Sequence, residues 1–241
     1  MVEIRQHEAL AEAYAGVTAV VGALDDADLQ RPTRCRGWLV VDLLLHLTGD
    51  AQRALVTLAS PADGPADTDH VGYWRDFPAG SGFASTRRPA PRGGDTDDLA
   101  RRHAWWVRRS AAAFERPGGV VRVWSDTAPA AVRAAAAADP TAFVTTQGHV
   151  LRVADFLATL TTEAVLHHLD LVLDLPTAPG PGPLARSVAT ATMDGLLGVD
   201  AARPARWTGD EYLLKAAGRL PLTDHDRAEL GAAAGAFPLL G

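Results

Sequence analysis

Two stretches of this chain read as helices that are apolar around nearly their whole circumference, yet each carries ionisable groups. In "LVVDLLLHLTGDAQRALVTL", residues 39–58, His46 lies among Leu43, Leu44, Leu45 and Leu47. In "TTEAVLHHLD", residues 161–170, Glu163 and His167 sit four residues apart in a run of alanine, valine and leucine. A helix that is apolar on all sides must be covered on all sides, which points both segments to the centre of a helical bundle. Burying a carboxylate or an imidazole there is costly unless the group is paired, hydrogen-bonded or bound to a cation.

The rest of the chain supplies helices to do the covering. Residues 3–24 place Ile4, Leu10, Tyr14, Val17, Val21 and Leu24 at spacings of three, four and seven, an amphipathic helix. A third long helix is expected over 96–114, with Trp105 and Trp106 as core plus rim, and a fourth over 152–173. Residues 60–96 are rich in Pro, Gly, Asp and Ser and read as a long surface excursion holding Tyr73, Trp74 and Phe77. "GGVVRVW" (118–124) reads as a short β-branched strand, "TAFVTTQGHV" (141–150) as its partner, with a short helix between. "PTAPGPGP" (176–183) is a boundary, followed by shorter helices near 184–198, 209–218 and 223–235. The expected architecture is mostly α: a four-helix bundle over 1–175 with a small β insertion, then a short helical carboxy-terminal extension over 176–241.

Composition narrows the function classes. A formal net charge of −6 argues against nucleic acid or an anionic membrane as the main partner, since phosphate binding needs a basic surface. The single cysteine, Cys35, excludes an internal disulfide and a thiolate metal cluster. Neither an apolar signal core nor a membrane-length apolar run is visible, so a cytoplasmic protein, monomeric or homodimeric, is expected.

Glu163 and His167, at i and i+4, project from one helical face and can converge on one point. Alone, such a pair is ordinarily a surface ion pair, and a lone buried histidine such as His46 is ordinarily satisfied by a carbonyl or hydroxyl. Taken together, two histidines and one carboxylate from two helices make a three-ligand set. Zinc uses it with an open fourth position, and non-haem iron(II) uses it as a facial triad. The spacing does not choose between them. Asp50, four residues after His46, reads either as a fourth ligand or as a surface aspartate. His168 is expected on the solvent side, and Cys35, between Arg34 and Arg36, has no histidine visibly paired to it.

The same residues carry a resemblance. Gly37-Trp38, His46 eight residues on, and Glu163-x-x-x-His167-x-x-Asp170-Leu171 on a later helix resemble the mycothiol-dependent maleylpyruvate isomerase family. That family belongs to the DinB-like superfamily of metal-binding four-helix bundles. The likeness covers roughly residues 5–175 and extends more loosely to "TGDEYLLKAAGRLPL". It implies that His46, Glu163 and His167 hold a metal, usually zinc, with iron(II) or another divalent ion as the other candidates, and that Asp170 supports the site one turn beyond His167. It further implies an enzyme using a low-molecular-weight thiol such as mycothiol, which transfers the thiol to a small electrophile or isomerises it through a thiol adduct. Tyr73, Trp74 and Phe77 are candidates for a lid over the substrate, with Arg87 and Arg88 available to acidic substrates. Other readings of the same ligands are an iron(II) oxygenase, a thiol-independent lyase or hydrolase, and a zinc-stabilised binding or regulatory module. The chain departs from the family in having Leu39 where a small helix-capping residue is usual. It also shows no evident counterpart, in 176–241, to the larger carboxy-terminal domain of the founding isomerase.

Overall fold

The computed structural model describes residues 5–76 and 95–240. Helix α1 (Gln6–Val21) buries Ala9, Leu10, Ala13, Tyr14, Val17, Val20 and Val21, one continuous helical stripe. Helix α2 (Val40–Leu58) starts after Leu39, which offers no side-chain acceptor. Asp42, three residues in, accepts the Leu39 N–H at 2.9 Å, the return half of a capping box. Strand β1 (Pro61–Ala62) and the short helix α3 (His70–Asp76) follow. The expected excursion over 60–96 thus begins with ordered elements, and 77–94 lie outside the described residues together with Phe77, Arg87 and Arg88.

Helix α4 (Asp95–Ala111) is present, but the bundle is closed by α5 (Gly118–Ala137). The strand expected over 118–124 is the first part of that helix. Val120, Trp124, Ala128, Ala131 and Ala135 recur at steps of four, four, three and four and are all buried. Two adjacent valines weaken a helix slightly, whereas a full buried stripe stabilises it by far more. Trp124 also donates to Thr18 Oγ1 at 2.9 Å and packs edge-on against Tyr14, tying α5 to α1.

The sheet forms elsewhere. Strands β2 (Phe143–Thr146) and β3 (His149–Arg152) make an antiparallel hairpin, and β1 adds to its edge with Pro61 opposite Val144. The two-residue turn, Gln147-Gly148, has positive φ at both positions (46° and 87°), the conformation whose twist matches that of a hairpin. Helix α6 (Val153–Leu171) leaves β3 directly. Helices α1 and α2 each pack against both α5 and α6, so they face one another across the bundle axis.

Beyond the bundle, α7 (Pro183–Leu197), α8 (Gly209–Ala216) and α9 (Asp224–Leu230) form the carboxy-terminal extension. Ala185, Ala189, Met193, Trp207 and Tyr212 belong to the same apolar cluster as Leu10, Leu44 and Leu160, so one core runs through bundle and extension. Among the described residues no helix is long and apolar enough to cross a membrane.

Candidate metal centre

Helix α2 brings His46, and α6 brings Glu163 and His167, to one point in the bundle. His46 Nε2 lies 2.9 Å from Glu163 Oε1, and His167 Nε2 lies 3.3 Å from the same oxygen. The two imidazoles meet edge to face with centroids 4.8 Å apart. Their side chains are 13%, 19% and 10% exposed for His46, Glu163 and His167, so the three are nearly sealed from water. Burial opposes the charge on Glu163, but hydrogen bonds from His167 and His46 hold its carboxyl well below the usual range. Burial likewise opposes a charge on His167, yet Cys35, Asp170 and Glu163 together raise its pKa well above the ordinary value.

Each imidazole is held from behind as well. His167 Nδ1 lies 3.1 Å from Asp170 Oδ2, on a carboxylate that is fully buried. Asp170 also accepts from Cys35 Sγ at 3.1 Å and from Arg219 Nε at 3.2 and 3.3 Å. Cys35, unpaired in the sequence, is therefore beside His167 in space, 3.7 Å from its Nδ1. Arg34 secures the end of α6 by donating its N–H to Asp170 O at 3.1 Å and its side chain to Leu169 O. Behind His46 stands His103 of α4, whose Nε2 is 3.3 Å from His46 Nδ1. Burial first, then His46, pushes the His103 pKa down to about 4, so the ring is neutral at physiological pH. Trp38 packs edge-on to His46, and Trp106 stacks on His103.

Sequence reasoning did not find His103. Its only signal is an imidazole three residues before Trp106 on an otherwise charged helix, and nothing in that pattern names its partner. Arg219 was visible only as part of a loosely similar tail. His168 is not on the solvent side: it is 1% exposed, packs on Gly16 and hydrogen-bonds Pro179 O at 2.8 Å. Small Gly16 is what lets the ring in. Trp105 and Trp106 are 57% and 46% exposed, so neither is a core residue.

Asp50 is no surface residue either, with a side chain 13% exposed. Its Oδ1 takes two hydrogen bonds from Arg53, at 3.3 and 3.1 Å, and its Oδ2 lies 3.7 Å from His46 Nε2. Arg53 in turn reaches Gln147 Oε1 at 3.2 Å, to which the Tyr73 hydroxyl also donates. Tyr73 is thus buried against the β2–β3 turn, with Trp74 edge-on beside it at 5.1 Å.

Chemically, His46, Glu163 and His167 offer two imidazole nitrogens and one carboxylate oxygen, all within 4.8 Å of one another. Zinc–ligand bonds of about 2.0–2.1 Å put neighbouring donors of a tetrahedron about 3.3 Å apart. The 3.3 Å separation matches that edge and the 2.9 Å one is a shorter hydrogen-bonded contact, and two imidazoles with a carboxylate suit a divalent cation of borderline softness. Cys35, His167 and Asp170 also lie within 4.8 Å of one another. That second group is already satisfied internally, because Asp170 accepts from Cys35, His167 and Arg219 at once.

Comparison with known proteins bears on this arrangement. Residues 10–172 match the family described as "Mycothiol maleylpyruvate isomerase N-terminal domain". The fold is similar to the crystal structure of a histidine-to-alanine mutant of the mycothiol-dependent maleylpyruvate isomerase, with a TM-score of 0.52 and 12% identity over 89% of this chain and 88% of that one. A second crystal structure of the mycothiol-dependent maleylpyruvate isomerase gives a TM-score of 0.43 and 14% identity over 78% and 67%. The first superposition covers more of this chain than the bundle alone supplies. No curated protein matches the sequence.

Proposed function

Since the chain belongs to the mycothiol maleylpyruvate isomerase N-terminal domain family, we propose that it is a metal-dependent enzyme that activates a low-molecular-weight thiol, mycothiol first, toward a small electrophile. The observation that carries this reading is the convergence of His46, Glu163 and His167 from the neighbouring helices α2 and α6 on one nearly sealed point. A divalent cation held there, zinc before iron(II), supplies the Lewis acidity that makes a thiolate available at neutral pH.

The chain's own residues do the rest. Glu163 contributes one negative charge against the cation, and the two imidazoles contribute neutral nitrogens. Asp170 accepts from His167 Nδ1 and so fixes which nitrogen faces the centre, and His103 does the same for His46. The surrounding leucines of α2 and α6 exclude water, which strengthens every charge interaction inside. The thiolate adds to an activated alkene of the substrate. Rotation about the former double bond and loss of the thiolate from the resulting carbanion then give the cis–trans isomer. Protonation of that carbanion from solvent followed by release of the adduct gives S-transfer instead.

The test is elemental analysis of the purified chain beside His46→Ala and His167→Ala. About one zinc per chain, lost in both variants, is expected. Isomerisation or conjugation of an activated alkene that requires both metal and thiol should follow. Turnover without thiol would sink the thiol half of the proposal, and absence of metal from the reloaded wild type would sink the metal half.

A further inference from the structure

Two buried oxygens in this region have no hydrogen-bond partner among the described residues: Asp50 Oδ2 and Tyr14 Oη. They come from α2 and α1, the two helices that face each other across the bundle axis. Asp50 follows His46 by one turn, and its orientation is fixed because Arg53 takes the other carboxylate oxygen with two donors. That leaves Oδ2 pointed toward His46 Nε2, the nitrogen that also faces Glu163, at 3.7 Å. Tyr14 is 2% exposed, and burial, then the charge of Asp50, drives its pKa up, so the phenol stays protonated. Native proteins seldom bury polar oxygens without partners, so an unmet pair beside a reactive centre points to an outside group that meets it.

The chemistry of the pair selects that group. An aspartate carboxylate only accepts, while a phenol can donate. The fitting occupant brings a proton for Asp50 and a lone pair for Tyr14, as a sulfhydryl or hydroxyl does. An ionised carboxylate is a poor fit, because it brings no proton to Asp50, which can only accept.

We propose that Asp50 Oδ2 and Tyr14 Oη form the subsite that receives the sulfhydryl of the thiol cosubstrate beside His46, Glu163 and His167. Asp50 accepts the sulfhydryl hydrogen and takes that proton as the S–H bond breaks, and Tyr14 donates a hydrogen bond to the sulfur. This rests on the thiol reading above. Asp50 and Tyr14 both contact the thiol, and the chain Asp50–Arg53–Gln147–Tyr73 braces the subsite from the hairpin side.

The experiment loads the full-length chain with cobalt(II) and titrates it with mycothiol, following the sulfur-to-cobalt absorption in the near ultraviolet. It compares wild type, Asp50→Asn and Tyr14→Phe. Asp50→Asn should keep its cobalt affinity within about threefold but weaken the thiol about tenfold or more, the size expected when an acceptor charge is lost. Tyr14→Phe removes only a hydroxyl from a core ring, leaves Arg53 paired, and should weaken the thiol about fivefold. It keeps the test open if Asp50→Asn fails to fold. Unchanged thiol affinity in the folded variants overturns the subsite alone. Loss of cobalt from Asp50→Asn makes Asp50 a metal ligand and also overturns it. A wild-type chain that binds no cobalt, or binds cobalt but not thiol, overturns the functional reading and the subsite with it.

Discussion

At His167 the two ring nitrogens face different partners, Glu163 Oε1 at 3.3 Å and Asp170 Oδ2 at 3.1 Å. A cation taken up at Nε2 must displace the proton that these neighbours and Cys35 stabilise. Because the His167 pKa is raised, protons compete with metal to a higher pH than at a free imidazole. Zinc affinity is therefore expected to climb with pH and level off only above the raised value, measured by chelator competition across neutral and mildly alkaline pH. A flat profile would contradict the assignment of His167. Asp170→Asn should weaken zinc about 10–100-fold and move the rise to lower pH, since the acceptor behind the ring loses its charge. The same titration reads both effects. Asp170 came with the family resemblance. Glu163 and His167 could be picked out in sequence because a helix forces i and i+4 onto one face, and His46 because it stands among leucines. His103 and Cys35 could not, because their nearness to the ligands depends on how α4 and the 32–39 connection fold back.

Helix α5 shows where local pattern misleads. Val120 and Val121 favour a strand over a few residues, while the stripe from Val120 to Ala135 is visible only across the whole helix. Trp124 anchors that stripe, and Trp124→Ala is expected to cost about 3–5 kcal/mol in urea unfolding, from lost burial and a cavity. A loss under about 1 kcal/mol would mean that α5 does not close the bundle as described. The hairpin was half legible. Residues 141–150 read as one strand pairing with 118–124, whereas the turn lies inside that stretch and the strand following the turn is the partner. Gln147 holds a positive φ that a non-glycine residue rarely adopts, and its side chain is gripped by Arg53 and Tyr73. Those contacts explain why glutamine stands there, and they attach the hairpin to Asp50.

Over the whole molecule, bundle and extension share one core and are linked by charge. Arg219 crosses from the extension to Asp170, so the far end of the chain touches the support of His167. Within the extension, Asp226 is fully buried and accepts from Lys215 Nζ at 2.6 Å, Trp207 Nε1 at 2.8 Å and Arg206 Nη2 at 2.5 Å. Asp226→Ala leaves buried Lys215 with Glu211 alone and Trp207 Nε1 without its acceptor, and should destabilise the chain by about 2–3 kcal/mol, measured as a lower urea midpoint. Burial opposes the charge on Asp226, but these donors hold its pKa far below the ordinary value. Its contribution is thus complete above the unfolded carboxylate value of about 4 and is lost as pH falls below that toward the depressed one. The acid limb of a stability–pH curve should flatten in Asp226→Ala. The sequence by itself determined that buried helices would carry two histidines and a carboxylate, because periodicity and apolar content are properties of the chain alone. Only the tertiary structure decided that α5 and not α4 closes the bundle, that His168 turns inward onto Gly16, and that His103, Cys35 and Arg219 surround the centre. Those contacts join residues from about 50 to 185 positions apart, and the helical period that orders neighbours within a turn carries no information across such a span.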